Sequence, residues 1–270
     1  MATKVALVTG ASSGIGASAA RKLHDLGYVV YGAARRVDRM KDLADAGIEV
    51  LGMDVTDQES MAEGVRRILD AHGRIDVLVN NAGYGSYGAV EDVPLAEARS
   101  QFEVNVFGAA ALIQLVTPHM RAQGSGRIIN ITSMGGKITT PFGGWYHGTK
   151  FALEALSDSL RSELRPFGID VVVIEPGGIR TEWGGIAADN LAKTSGEGAY
   201  AKPVARMARQ LGREGFGSDP KVIASAIARA STARRPRTRY AVGFGAKPGI
   251  FLHWLLPDRA WDGLLRLGIA

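Results

Sequence analysis

The sequence contains no cysteine. Disulfide bridges, thiolate zinc sites and cysteine nucleophiles are thereby excluded, and a reducing compartment is compatible with the chain. No purely apolar run approaches the ~20 residues that a membrane-spanning helix needs, so no transmembrane segment is expected. The first residues, MATKVALVTG, enter a strand almost at once and lack the layout of a secretory leader. A cytoplasmic protein is the expectation. Repeats and low-complexity tracts are also missing.

Glycine, by contrast, is abundant: 35 of 270 residues, in short clusters rather than a repeat. That suits a chain with many tight strand-to-helix turns better than a fibrous or disordered one. The net charge of +5 is uneven. Residues 201–240 hold ten Lys or Arg against Glu214 and Asp219, which is +8 locally and leaves about −3 elsewhere. Such a segment can attract nucleic acid, anionic lipid or an acidic substrate, or it can be a set of solvated helix faces.

Strand-like and helix-like segments alternate from the start. KVALVT (4–9) precedes a helical pattern over 15–26 that stops at Gly27, and YVVYGA (28–33) precedes one over 37–46 that stops at Gly47. IEVLGMD (48–54), a helix at 57–72 and IDVLVN (75–80) follow. One long helix is expected over 95–123, then RIINITS (127–133), a helix at 145–165 and IDVVVIEP (169–176). Continuously apolar strands belong in a parallel sheet covered on both faces, and the alternation predicts right-handed crossovers in a doubly wound fold. The pattern loosens over 180–218, then resumes with a helix at 222–230 and a seventh strand, TRYAVG (238–243). The terminal IFLHWLL and WDGLLRLGIA are apolar enough to suggest burial against a partner subunit or a substrate mouth, with interfacial membrane contact as the other reading.

Chemistry concentrates at the predicted strand ends. In TGASSGIG (9–16), Gly10 allows a tight turn, Gly14 lets a pyrophosphate approach the backbone, and Gly16 lets the helix pack closely. The spacing is G-x-x-x-G-x-G, so an ordinary tight connection is the competing reading. Asp54 closes the third strand and NNAG (80–83) the fourth, in the crevice where doubly wound folds bind ligands. YHGTK sets Tyr146 and Lys150 four residues apart on one helix face. A phenol with a pKa of ~10 needs a nearby cation to act near neutrality, and Lys150 is placed to supply one. Ser133, past the fifth strand, is a candidate to hold a substrate oxygen. Asn105 sits in the long helix, where an amide is a mediocre helix former and invites another use. His147, beside Tyr146, is expected to point to another part of the helix surface.

TGASSGIG, DV (54–55), NNAG, the Asn of FEVNVFG, the Ser of ITS, YHGTK and PGGIRT (176–181) occur in order. On these motifs the chain resembles the short-chain dehydrogenase/reductases over residues 3–245, loosely their retinol- and hydroxysteroid-dehydrogenase-like branch. The resemblance implies a single Rossmann-type domain of about seven parallel strands over 1–245, including a substrate loop at 180–218, followed by an apolar extension over 246–270. It implies a catalytic tetrad of Asn105, Ser133, Tyr146 and Lys150, with Tyr146 as general acid/base in hydride transfer between a carbonyl and an alcohol. Cofactor contacts would come from Gly10, Ser12, Ser13, Gly14, Ile15, Gly16, Asp54, Val55, Asn81, Ala82, Gly83, Tyr146, Lys150, Pro176, Gly177, Ile179 and Thr181. No metal is required.

In that family an acid at the end of the second strand selects NAD; here the position is Ala34, followed by Arg35 and Arg36, which implies NADP(H). Ser13 departs from the second basic residue that some NADP-dependent relatives carry. Walls for a hydrophobic ketone, aldehyde or alcohol are expected from 134–145 and 84–87, with Tyr84, Met134, Phe142, Trp145 and Trp183 as candidates. A homodimer or homotetramer built on the helices at 95–123 and 145–165 is also implied. The alternative is a non-catalytic NADP-binding redox sensor, a class that tends to lose the tyrosine or lysine kept here. Nucleic-acid binding lacks any accompanying motif.

Overall fold

In the computed structural model, which describes residues 3–213 and 215–269, the apolar runs become seven strands. They are β1 (Val5–Thr9), β2 (Val29–Ala34), β3 (Glu49–Gly52), β4 (Val77–Asn80), β5 (Gly126–Ile131), β6 (Ile169–Pro176) and β7 (Arg239–Val242). All pair in parallel, in the order β3-β2-β1-β4-β5-β6-β7. The order reverses between β1 and β4, which opens a crevice beyond their C-terminal ends.

Period-two alternation sorts each strand between two helical layers. The helices of the first two-thirds of the chain are α1 (Gly14–Asp25), α2 (Lys41–Ala44), α3 (Gln58–His72), α4 (Leu95–Phe102), α5 (Gly108–Ala122) and α6 (Gly144–Leu164). Then come α7 (Trp183–Ser195), α8 (Ala201–Leu211), α9 (Lys221–Thr232), α10 (Ala246–Leu255) and α11 (Asp258–Ile269). Ala6, Val8, Val30, Val79 and Ile129 pack under Ala19 and Leu23 of α1 and Ile223 and Ile227 of α9. Val5, Leu7, Leu78 and Ile128 face the other way, onto Met61 and Ile68 of α3 and Leu112 and Val116 of α5. Full burial of each such Leu or Ile contributes about 1.5–3 kcal/mol, so the two layers hold the sheet from both sides.

Local signals set the boundaries. The Asp57 carboxylate accepts from the Glu59 and Ser60 N–H groups at 3.0 and 3.4 Å and starts α3, which ends at Gly73 in the left-handed region. Three sequence expectations need correction. The helix expected over 95–123 is interrupted by a π turn at Glu103–Phe107. Such an inserted residue breaks the regular ladder and commonly marks a functional position; here it carries Asn105, whose amide bonds to other segments. The loosely patterned 180–218 contains two full helices, α7 and α8, whose apolar positions miss the sheet and bury against one another and an aromatic cluster. Finally, Arg239 is no solvated charge: it pairs with Glu154 (3.0 Å), Asp158 (2.6 Å) and Glu175 (3.3 Å).

The apolar tail forms α10 and α11, with Trp261 buried while Phe251, Trp254 and Leu255 face outward. Among the described residues no helix is long and apolar enough to cross a membrane.

Candidate active site

The glycine loop is a cradle with no room for side chains. A Cβ on Gly16 would stand 2.2 Å from the Gly10 carbonyl oxygen, and one on Gly10, at φ 66°, 2.8 Å from Asn81 Nδ2. Ser13 precedes α1 in an extended conformation without a side-chain capping bond, and no acid occupies the first turn. The helix N-terminus, with Ser12, Ser13, Gly14 and Ile15 around it, therefore keeps its positive dipole end available to an anion.

The loop after β4 is tied to this cradle. Thr9 Oγ1 accepts from the Asn81 and Ala82 N–H groups, each at 3.0 Å, and Asn81 Nδ2 donates to the Thr9 carbonyl at 2.9 Å. Asn81 thus holds the crevice together. Thr9, absent from the sequence-based site, does the same work, and its polar side chain at the end of an apolar strand was the available signal. Asp54 Oδ1 accepts from the Thr56 N–H and hydroxyl at 2.9 and 2.8 Å, and Val55 packs against the start of α5 at Gly108. On the far side, Gly177 and Gly178 donate to the Val242 and Phe244 carbonyls, and the Thr181 methyl lies over Gly14. Pro176 to Thr181 and the glycine loop thereby wall the same crevice, with Ile179 against the first core layer. Arg35 and Arg36 are exposed just past β2. Arg39, one turn on, reaches Glu182 at 3.2 Å.

Asn105, Ser133, Tyr146 and Lys150 lie beside that crevice. Asn105 is 1% exposed; its Oδ1 accepts from the Tyr84 N–H (3.0 Å), and its Nδ2 donates to the Tyr84 carbonyl (2.9 Å) and Thr149 Oγ1 (3.0 Å). A Cβ on Gly83 would come within 3.0 Å of Asn105 Oδ1 and 3.7 Å of Lys150 Nζ. Lys150 donates to the Ile131 carbonyl at 3.0 Å, and its Nζ stands 5.8 Å from the centre of the Tyr146 ring. Burial pushes the Lys150 pKa down to about 8, against the pull of Glu154 one turn further along. Burial likewise pushes the Tyr146 phenol up to about 12, partly offset by the nearby Ser133 hydroxyl, which accepts from the Gly135 N–H at 3.0 Å and donates to the Pro176 carbonyl at 3.4 Å. Desolvation, rather than the lysine charge, sets the phenol here.

The Tyr146 ring belongs to an apolar wall. Trp183 lies 5.1 Å away and Tyr87 5.7 Å away, centre to centre, and Ala187, Leu191, Val204 and Met207 complete the cluster. Phe142 and Trp183, expected from the sequence, are there, with Phe142 stacked edge-on against Tyr200. Tyr84 instead turns its hydroxyl to Glu97 (3.1 Å), Trp145 bonds to the Val90 carbonyl (3.5 Å), and Met134 packs under Gly249 of α10. His147 does not face another part of the helix surface: it is 4% exposed and bonded into the loop 135–140. Among the described residues no cluster of His, Asp and Glu is arranged to hold a metal ion.

A doubly wound sheet whose switch-point crevice adjoins a buried tyrosine and lysine defines a nucleotide-linked oxidoreductase. Comparison with known families agrees, the short chain dehydrogenase model matching residues 4–190. The protein belongs to that family of nicotinamide-dependent oxidoreductases. It is 35% identical over 264 residues to the probable short-chain type dehydrogenase/reductase VdlC of Helicobacter pylori, covering 97% of both chains. It is 34% identical over 274 residues to the NADPH-dependent 3-dehydrocapnine reductase of Ornithobacterium rhinotracheale, covering 96% of this chain and 95% of that one. A short-chain dehydrogenase crystal structure from Streptomyces avermitilis superposes with a TM-score of 0.83 at 36% identity, over 98% of this chain and 96% of that one.

Proposed function

We propose that the protein is an NADP(H)-dependent oxidoreductase that interconverts an apolar ketone or aldehyde and its alcohol. The observation that carries the reading is the place of Tyr146. Its phenol lies near Ser133, its ring lies among Trp183, Tyr87 and Leu191, and Lys150 and Asn105 stand beside it against Gly83 of the loop after β4. A proton donor that belongs to both an apolar wall and a polar crevice suits a carbonyl whose oxygen is polar and whose substituents are not.

The residues fit a dinucleotide. The cradle that any Cβ would fill leaves backbone N–H groups for a pyrophosphate, and Arg35 and Arg36, exposed just past β2, are available to a ribose 2′-phosphate, with no acid at Ala34 to oppose it. The bound nicotinamide would supply or accept the hydride. Ser133 Oγ holds the substrate oxygen, and Tyr146 delivers its phenolic proton to that oxygen in reduction and removes it in oxidation. A phenol near 12 is a willing proton keeper but a reluctant anion. Lys150, protonated below about pH 8, lowers the cost of the phenolate as it forms. Asn105, fixed in the π turn, holds Tyr84 and Thr149 and so keeps the floor of the site in register. The related 3-dehydrocapnine reductase, an NADPH enzyme by its name, supports both the cofactor and the ketone.

The cofactor assignment is tested with Arg35→Glu. Steady-state kinetics should show kcat/KM for NADPH falling about 10- to 100-fold, the equivalent of one strong charge-assisted contact, while NADH is unaffected or improved. An unaltered NADPH:NADH ratio would overturn it.

A further inference from the structure

His147 is a buried titratable group beside Tyr146 that the mechanism above leaves unused. It stands in α6 next to Tyr146, but its ring reaches into the loop that leaves Ser133. Nε2 receives the Thr140 backbone N–H at 3.1 Å and lies 3.0 Å from Thr140 Oγ1, and Nδ1 lies 3.0 Å from the Gly135 carbonyl. These partners decide the tautomer. A carbonyl can only accept, so Nδ1 carries the proton; a backbone N–H can only donate, so Nε2 does not. The ring is neutral, and both nitrogens are used.

The loop is shaped around that ring. A Cβ on Gly135 would stand 2.7 Å from Nδ1, and one on Gly143 would stand 2.6 Å from Nε2, so glycines at both ends let the backbone close over the imidazole. Between them Phe142 is held at φ 64°, the one non-glycine in the left-handed region among the described residues. Its carbonyl takes the Gly88 N–H at 2.8 Å. Such a conformation persists only where the surroundings impose it. The two ends of this loop, Ser133 and Phe142, are the substrate-oxygen holder and a part of the apolar wall.

We propose that His147 is a positioning residue that, as the neutral Nδ1–H tautomer, latches the 133–143 loop onto α6 and so fixes Ser133 and Phe142 against Tyr146. The inference rests on the carbonyl–alcohol reading of the site. Protonation would put a hydrogen on Nε2 against the Thr140 N–H and release one side of the latch. The titratable rings packed on His147 are Tyr87 (6.3 Å) and Tyr146 (5.6 Å); Lys137 of the loop is paired with Glu154 and Lys150 with the Ile131 carbonyl. Burial therefore lowers the imidazole pKa below its ordinary value, and the latch is present above neutrality and lost as the pH falls through that lowered pKa.

The test compares wild type with His147→Ala, His147→Gln and His147→Asn. Glutamine can keep an acceptor near Thr140, and asparagine a donor near Gly135. His147→Ala should lower kcat/KM for a reduced ketone about 10- to 100-fold, in keeping with a small misplacement of catalytic groups, while the NADPH dissociation constant changes less than about two-fold. Glutamine and asparagine should each restore part of the loss. The wild-type profile should fall on the acid side, and His147→Gln should lose that limb. Hydrogen exchange, read on the full-length protein without substrate, should show the Thr140 amide protected in wild type and opened in His147→Ala. Variants with wild-type kinetics, pH profile and exchange would refute the latch. If wild type reduces no carbonyl, the reaction assignment fails, and the exchange result still decides the latch.

Discussion

The two walls of the candidate active-site crevice are built on different principles. The wall formed by the glycine loop, NNAG and Pro176–Thr181 is mostly backbone: carbonyls, N–H groups and glycines packed so closely that a single Cβ would collide. The opposite wall is mostly side chain: Tyr87, Phe142, Trp183, Leu191 and Met207, drawn from segments far apart in the sequence. On the proposed reading, a backbone wall recognises what nicotinamide dinucleotides have in common, and its packing tolerates little change. A side-chain wall can be recut for a new substrate without disturbing the sheet.

Substitutions should break the two walls differently. Gly16→Ala is the severest. Its Cβ would meet the Gly10 carbonyl, a backbone atom that cannot move alone, so NADPH binding followed by nicotinamide fluorescence should be lost, along with at least about 1–3 kcal/mol of stability. Retained tight binding would show that the cradle is looser than its geometry. Trp183→Ala sharpens the contrast. It should raise KM for bulky apolar ketones about 10-fold, roughly the 1–3 kcal/mol of a lost hydrophobic contact, and leave the NADPH dissociation constant unchanged. Equal loss for cofactor and substrate would erase the distinction between the walls.

The smallest expected effect lies behind both. Glu175 sits buried beside Glu154, with Arg239 Nε at 3.3 Å but no hydrogen bond to its Oε1. Burial first, then the Glu154 charge, raises its carboxyl pKa to about 7. A raised carboxyl pKa means that the fold binds the proton more tightly than the unfolded chain does. Its contribution is therefore fully present below about pH 4.5 and is lost as the pH climbs through 7. Glu175→Gln should raise the melting temperature by on the order of 2–4 °C at pH 8, and by less at pH 5.5. A gain independent of pH would contradict the assignment.

The same contrast decides what could be read from the chain. Gly10, Gly14 and Gly16, the strand-end Asp54 and NNAG are contiguous with the strands that carry them, so a local pattern reveals them, as does the four-residue step from Tyr146 to Lys150. The other wall depends on contacts no local pattern encodes. Tyr87 meets Trp183 across nearly a hundred residues, and α7 and α8 bury their apolar positions on aromatics instead of the sheet. The π turn at Glu103–Phe107 follows from where Tyr84 and Thr149 stand, and helical periodicity passes over it. Sequence adjacency to Tyr146 says nothing of His147's partners, Gly135 and Thr140, which only the turn after β5 brings to it. The arginines after β2 were visible, but Arg39, paired with Glu182 across the chain, was not.

The central claim is that Tyr146 moves the proton. A single-turnover measurement on enzyme loaded with NADPH and mixed with an apolar ketone tests it most directly. Tyr146→Phe should bind NADPH as wild type does, yet consume it about 10²- to 10⁴-fold more slowly, the range for loss of a general acid. A mutant that consumes NADPH at the wild-type rate would contradict the account.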